Sequence, residues 1–174
     1  MGEVMKQLLV LIFIIVLIPV HSYAERTPGP KARQAGDLAL IVTASESLNY
    51  IKDWVSTSHD KPITIKRLYQ IKPDQVAYCA FLVTGMSPDV KGMYAFVVHF
   101  KLKDPTGKIL FDMPSYAKGN GPYPNIPTFI MANPALDLIL EQSDPAGLYL
   151  IEATVEDLVT GKKAYDKYMI ELKK

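Results

Sequence analysis

One cysteine, one tryptophan and three histidines among 174 residues make this chain poor in the side chains that usually carry chemistry. The single thiol, Cys79, cannot close an intrachain disulfide, so an oxidising compartment adds no covalent staple to the fold. A zinc site needs three or four converging ligands, usually at short paired spacings. His21, His59 and His99 stand far apart in the chain, and no metal site or other cofactor is expected from them. Charge of one sign is also missing: 19 Lys and Arg face 18 Asp and Glu. No basic stripe points to nucleic acid and no acidic tail points to disorder. There is no Gly-x-Ser-x-Gly, phosphate loop or His-Glu-x-x-His. A repeat that would indicate a solenoid or propeller is absent as well.

What the chain does have begins at its start. Lys6 precedes the unbroken apolar run Leu8 to Val20, and Ser22 and Ala24 put small residues at the minus-three and minus-one positions of a cleavage site. This is the three-part layout of a secretory signal peptide. The run contains Pro19 and is 13 residues long, whereas a bilayer span takes about 20. The expected organisation is a cleaved signal peptide at 1–24, a flexible leader at 25–36 (ERTPGPKARQAG) and one domain at 37–174. No transmembrane segment remains after cleavage on this reading. The product is periplasmic or secreted, two destinations the sequence leaves open. A domain of this size buries a core without staples.

Past the leader, Asp37 to Ala44 reads as a short strand. Thr43-Ala44-Ser45-Glu46 has the form of a capping box, with Leu48, Ile51 and Val55 at helical spacing and Trp54 beside them. A helix near Ser45 to Ser56 is expected, closed by His59-Asp60-Lys61-Pro62. From there the period is two. Tyr94, Phe96, Val98, Phe100 and Leu102 occupy alternate positions, as do Tyr149, Ile151, Ala153 and Val155, and Tyr168, Ile170 and Leu172. Each run is a strand with one buried face. Gln75 to Thr84 is apolar on both faces, so it is expected to be central and covered on both sides, by the helix on one. Weaker strands fall at Ile63 to Ile71, Lys108 to Met113, Thr128 to Ala132 and Leu136 to Glu141. Asp104-Pro105-Thr106-Gly107 and Asp144-Pro145-Ala146-Gly147 have the composition of type I turns. Thr160-Gly161-Lys162 reads as a tight hairpin.

The stretch Asp144 to Asp157, followed by Thr160-Gly161-Lys162, resembles the closing hairpin of immunoglobulin-like sandwiches. Tyr149 stands where such folds place a corner tyrosine whose hydroxyl reaches back to the backbone. Ile151 stands where antibody domains have a cysteine, which implies direct packing of Ile151 near Cys79. Macroglobulin-type domains share this pattern. From Leu38 to Leu172 the chain also resembles small uncharacterised exported bacterial proteins. The shared features are a short helix containing a Trp (Tyr50 to Trp54), a strand like Tyr78 to Gly85, an Asp-Pro-x-Gly turn and a second Asp-Pro-x-Gly-x-Tyr strand. The resemblance implies an all-β fold, an immunoglobulin-like antiparallel β-sandwich with one short N-terminal α-helix. It implies nothing about chemistry, since such folds host unrelated functions.

Carboxylates are scattered over Asp74, Asp89, Asp104, Asp112, Asp137, Glu141, Asp144, Glu152, Glu156 and Asp157. Paired carboxylates on facing loops do glycosidase work, but several of these belong to turns, where they accept backbone hydrogen bonds. A Cys79/His99 nucleophilic pair needs both groups in one cleft, whereas the period puts the thiol inside and the imidazole outside. The best candidate for function is the linker Pro114 to Pro127 (PSYAKGNGPYPNIP), read as a long contact loop bearing Tyr116, Lys118, Asn120 and Tyr123. Its other reading is a crossover between sheets. Tyr50, Trp54, Tyr69, Tyr78, Tyr94, Phe96 and Phe100 are core residues or the lining of a ligand cavity. Together these features suggest an exported, non-catalytic binding module for an unknown protein or cell-surface partner. The alternative is a periplasmic carrier holding a small apolar ligand between helix and sheet; a hydrolase is the minor third. Oligomeric state is left open.

Overall fold

The computed structural model describes residues 37–56 and 63–174. The expected signal peptide, the leader and the His59 to Pro62 turn lie outside the described residues.

The period-two runs form the middle of a five-stranded sheet. β4 (Met93–Lys103), β8 (Gly147–Asp157) and β9 (Lys163–Leu172) are antiparallel neighbours. β5 (Ile109–Pro122) lies outside β4, and the two-residue β2 (Gln70–Ile71) lies outside β9, giving the order β2-β9-β8-β4-β5. A second sheet is built on β3 (Val76–Thr84), flanked by β1 (Ala39–Ser45) on one side and by the short β6 (Ile130–Met131) and β7 (Leu136–Ile139) on the other. The fold is all-β, with two facing sheets.

Alternation explains the core between them. Phe96, Val98, Phe100 and Leu102 of β4 and Tyr149, Ile151 and Val155 of β8 are buried against Leu40, Val42, Cys79, Phe81 and Val83 of the other sheet. The rings of Phe81 and Phe100 meet across the layers at 5.9 Å between centroids. Each such side chain contributes roughly 1.5–3 kcal/mol by leaving water. β3 is covered on both faces, as its composition requires. Its other face, Ala80 and Leu82 with Tyr78, packs under α1 (Asn49–Ser56) through Tyr50, Ile51 and Trp54, joined by Ile65 and Phe129. The Tyr50 hydroxyl donates to the Tyr78 carbonyl at 2.8 Å.

Three expectations are corrected. The capping box is not one: Thr43 and Ser45 belong to β1, the helix starts at Asn49, and Ser47 Oγ accepts from the Asn49 N–H at 3.1 Å. Leu48 is exposed and supplies the first acceptor carbonyl, to Ile51 and Lys52. The strand expected over Ile63 to Ile71 shrinks to Gln70–Ile71, paired in parallel with β9. Upstream of it, Ile65 joins the helix-side cluster and the Leu68 N–H donates to the Ala44 carbonyl at 2.9 Å. The long loop expected over Pro114 to Pro127 is strand as far as Pro122.

The turns are organised by aspartates. Asp104 closes its turn through the Gly107 N–H and takes three more donors on one carboxylate oxygen: Thr106 N–H, Thr106 hydroxyl and Lys108 N–H. Asp144 works differently despite the same local sequence. Its carboxylate accepts from the Glu141 N–H at 2.7 Å, closing the preceding turn, because Gly147 already pairs with Leu172 as the first residue of β8. The Tyr149 hydroxyl reaches back to the Pro145 carbonyl at 2.8 Å. The last hairpin turns over Leu158 to Lys162, wider than the three residues expected.

Two contacts dress the sheet margins. On β1, the Val42 N–H donates to the Asp166 carboxylate of β9 at 2.8 Å, which ties the two sheets at that corner. On the far side, Lys118 of β5 exchanges backbone hydrogen bonds with Asn133, whose neighbour Ala132 donates to the Phe81 carbonyl of β3.

Candidate functional site

The four residues expected to share one contact loop are separated by the strand that contains them. Opposite His99, β5 bulges by three residues: Ala117 pairs with Val98 and Met113 with Phe100, leaving Pro114, Ser115 and Tyr116 against one position. Ser115 sits at φ 54°, and its N–H donates to His99 Nδ1 at 2.9 Å. The bulge re-aims Tyr116 inward. Its ring packs edge-on to Phe100 and Phe81, and its hydroxyl donates to the Ala135 carbonyl at 2.9 Å. Tyr116 is therefore a core residue. Lys118 and Asn120 are exposed, opposite Val97 and Ala95 on the outer face of the sheet. Only Tyr123 lies past the strand, exposed, with its N–H donating to the Gly92 carbonyl at 2.8 Å.

Two glycines hide this strand from a pattern reading. Gly119 and Gly121 oppose Phe96 and Tyr94, and a Cβ at Gly119 would run into the Phe96 ring. The stacked Tyr94 and Phe96 rings fill the space the missing side chains leave. The available signal was a Gly-x-Gly facing a Tyr-x-Phe at the same spacing, visible only once the two strands are put in register.

The ionisable groups are occupied structurally. Asp157 is fully buried: its carboxylate accepts from the Ser87 N–H at 3.0 Å, the Val159 N–H at 3.0 Å and the Thr160 hydroxyl at 2.8 Å. Burial pushes its pKa up, but the hydrogen bonds from Thr160, Val159 and Ser87 win and hold it below the usual carboxylate range. For Asp104 the Thr106 hydroxyl is the leading cause of a lowered pKa. Glu152 is lowered first by its hydrogen bond from Lys103. Cys79 faces the inter-sheet core, fully buried, and burial pushes its thiol up to about 12. His99 lies in the outward register of β4, so these two groups do not converge. Among the described residues, no group of three or more His, Cys, Asp or Glu is placed to hold a metal ion.

The aromatic side chains do not line one space. Tyr94, Phe96 and Phe100 belong to the inter-sheet core, Tyr50, Trp54 and Tyr78 to the helix-side cluster, and Tyr69 is exposed and stacked on Tyr168. In the helix-side layer the Thr43 hydroxyl is buried without a hydrogen-bond partner among the described residues.

Two surfaces stand out instead. Along the first half of β5, Ile109, Leu110, Phe111 and Met113 are all exposed, Phe111 at 56%. Among the described residues no strand pairs with the outer edge of this stretch. At the opposite end of the sheet, three turns come together: 85–92, 123–129 and 158–162. Tyr123 bonds Gly92, and the Leu158 N–H donates to the Ala95 carbonyl at 2.9 Å.

No protein-family model matches the chain, and no curated protein matches it. Among the described residues no helix is long and apolar enough to cross a membrane.

Proposed function

We propose that the chain is an exported, non-catalytic contact module whose sandwich is of the immunoglobulin-like type and which takes an extended partner segment along the outer edge of β5. The observation that carries the reading is the exposed apolar run Ile109 to Met113 on that edge. An open strand edge offers a row of N–H and C=O groups whose natural complement is another extended backbone. Pockets between alternate side chains supply selectivity. Edges without a binding role are normally blunted by Pro, by inward charge or by a covering segment. Asp112 is the one charge within this run, and it is tied to Lys101 at 2.9 Å.

The sandwich type rests on the Tyr149 hydroxyl reaching back to Pro145, the geometry of a corner tyrosine. Export rests on Leu8 to Val20 with Ser22 and Ala24; N-terminal sequencing of the exported protein is expected to begin at Glu25. The contact reading is tested by placing a photo-crosslinking residue at Phe111, or at Tyr165 on the outer face of β9, in expressing cells. Adducts from position 111 and none from 165 support it; no adduct from 111, or equal yields from both, removes the edge from the proposal.

A further inference from the structure

The end of the sandwich where turns 85–92, 123–129 and 158–162 meet carries large apolar side chains at its tips. Val90 is fully exposed at 102%, Leu158 at 57% and Ile126 at 53%, with Tyr123, Met93 and Val159 also open to solvent. The turns at the other end, 72–75, 104–108 and 141–146, carry none. The tips are held firmly. Asp89 Oδ1 accepts from the Lys91 and Met93 N–H groups at 2.8 and 2.9 Å, which fixes a tight turn with Val90 at its apex. The buried Asp157 carboxylate does the same for Leu158 and Val159 through the Val159 N–H and the Thr160 hydroxyl. Rigid turns that thrust single apolar side chains outward suit insertion into a soft apolar layer better than docking to a flat protein face.

Charge at this end favours an anionic layer. Lys91, Lys118 and Lys162 are exposed and form no ion pair among the described residues. Its acidic groups are already satisfied internally: Asp89 and Asp157 by backbone donors, Glu156 by Lys163 at 3.0 Å. A second copy meeting this end tip to tip would set lysines against lysines. The path of the chain agrees. β1 begins here, Ala39 pairing with Thr84 and Asp37 touching Gly85. The sequence just before it carries Arg26, Lys31 and Arg33 against Glu25, preceded by the apolar run Leu8 to Val20.

We propose that this end of the sandwich rests on an anionic phospholipid bilayer, with Val90, Leu158 and Ile126 entering the interface and Lys91, Lys118 and Lys162 against the headgroups. Membrane affinity of this kind sums apolar burial and attraction to anionic lipid. Each lysine near such a surface is worth roughly fivefold in partitioning at low salt.

The test uses the full chain carrying Leu158→Cys labelled with an environment-sensitive dye; the native Cys79 is buried and leaves a clean background. Vesicles are phosphatidylglycerol with phosphatidylethanolamine, or phosphatidylcholine alone. The expected result is a blue-shifted, brightened dye on anionic vesicles only. The shift weakens at least tenfold in lipid concentration for Lys91→Glu with Lys162→Glu, and likewise for Val90→Ser. Both variants change exposed side chains, and an unchanged melting temperature confirms that they fold. All versions share the same first 36 residues, so any attachment through that segment cancels in the comparison. A dye that stays solvent-like on anionic vesicles, or responds equally with neutral lipid or in the lysine variant, overturns the proposal. A shift that grows with protein concentration and ignores lipid assigns this end to a second copy and also overturns it. None of these outcomes bears on the edge of β5.

Discussion

Thr43 is the residue whose chemistry is least satisfied. Its hydroxyl is buried in β1 beneath the helix with no partner among the described residues, and an orphaned buried hydroxyl costs about 1–3 kcal/mol. Thr43→Val keeps the branched shape and removes that cost, so urea unfolding is expected to show a stabilisation of about 1 kcal/mol. Asp157 is the opposite case, with three donors converging on one carboxylate. Its pKa is lowered in the folded state, relative to an unfolded value of about 3.9. Its contribution is therefore fully present above that value and disappears as pH falls through the folded pKa. Urea midpoints measured from pH 7 down to pH 2.5 are expected to fall less steeply at the acid end for Asp157→Asn than for the native chain. The substitution itself costs about 2 kcal/mol near neutrality by weakening this network.

At the scale of elements, β5 separates what a pattern can tell from what it cannot. The alternation in β4, β8 and β9 is direct evidence of burial, because every second side chain had to be apolar to fill the space between the sheets. The two-faced composition of β3 announced its cover on both sides for the same reason. β5 announced nothing, because Gly119 and Gly121 yield their own volume to Phe96 and Tyr94, and Pro114 belongs to a bulge. The capping-box pattern at Thr43 misled because it depends on side-chain identity alone, and Thr is equally at home in a strand. The candidate site was legible only in part: the segment was right and its geometry was not. Tyr116→Ala is expected to cost about 2–4 kcal/mol by emptying the space against Phe81 and Phe100. Tyr123→Ala is expected to leave the melting temperature within 2 °C of native, roughly a surface-substitution effect. Gly119→Ala drives a methyl into the buried Phe96 ring, and a loss of about 2 kcal/mol or more in urea unfolding is expected.

For the molecule as a whole, Cys79 reports on the integrity of both layers at once. It lies on the central strand of one sheet, facing the other, and burial raises its thiol to about 12. Reaction with a disulfide reagent at pH 8 is expected to proceed only at the rate of global unfolding, rising in parallel with urea-induced loss of near-ultraviolet circular dichroism. Fast labelling of the native protein would show that the sheets part locally.

The hold of Asp166 on Val42 reaches further than one corner. With Leu68 bonded to Ala44, it occupies polar groups on the outer margin of β1. Asn133 occupies the later part of β5, and β2 is only two residues long. Among the described residues, one short flank, Ile109 to Met113, is left unsealed. A body with a single unsealed flank joins one neighbour and then has nothing further to offer. It can end a row of strands but cannot lengthen one, which lets it be crowded onto a surface without seeding fibres.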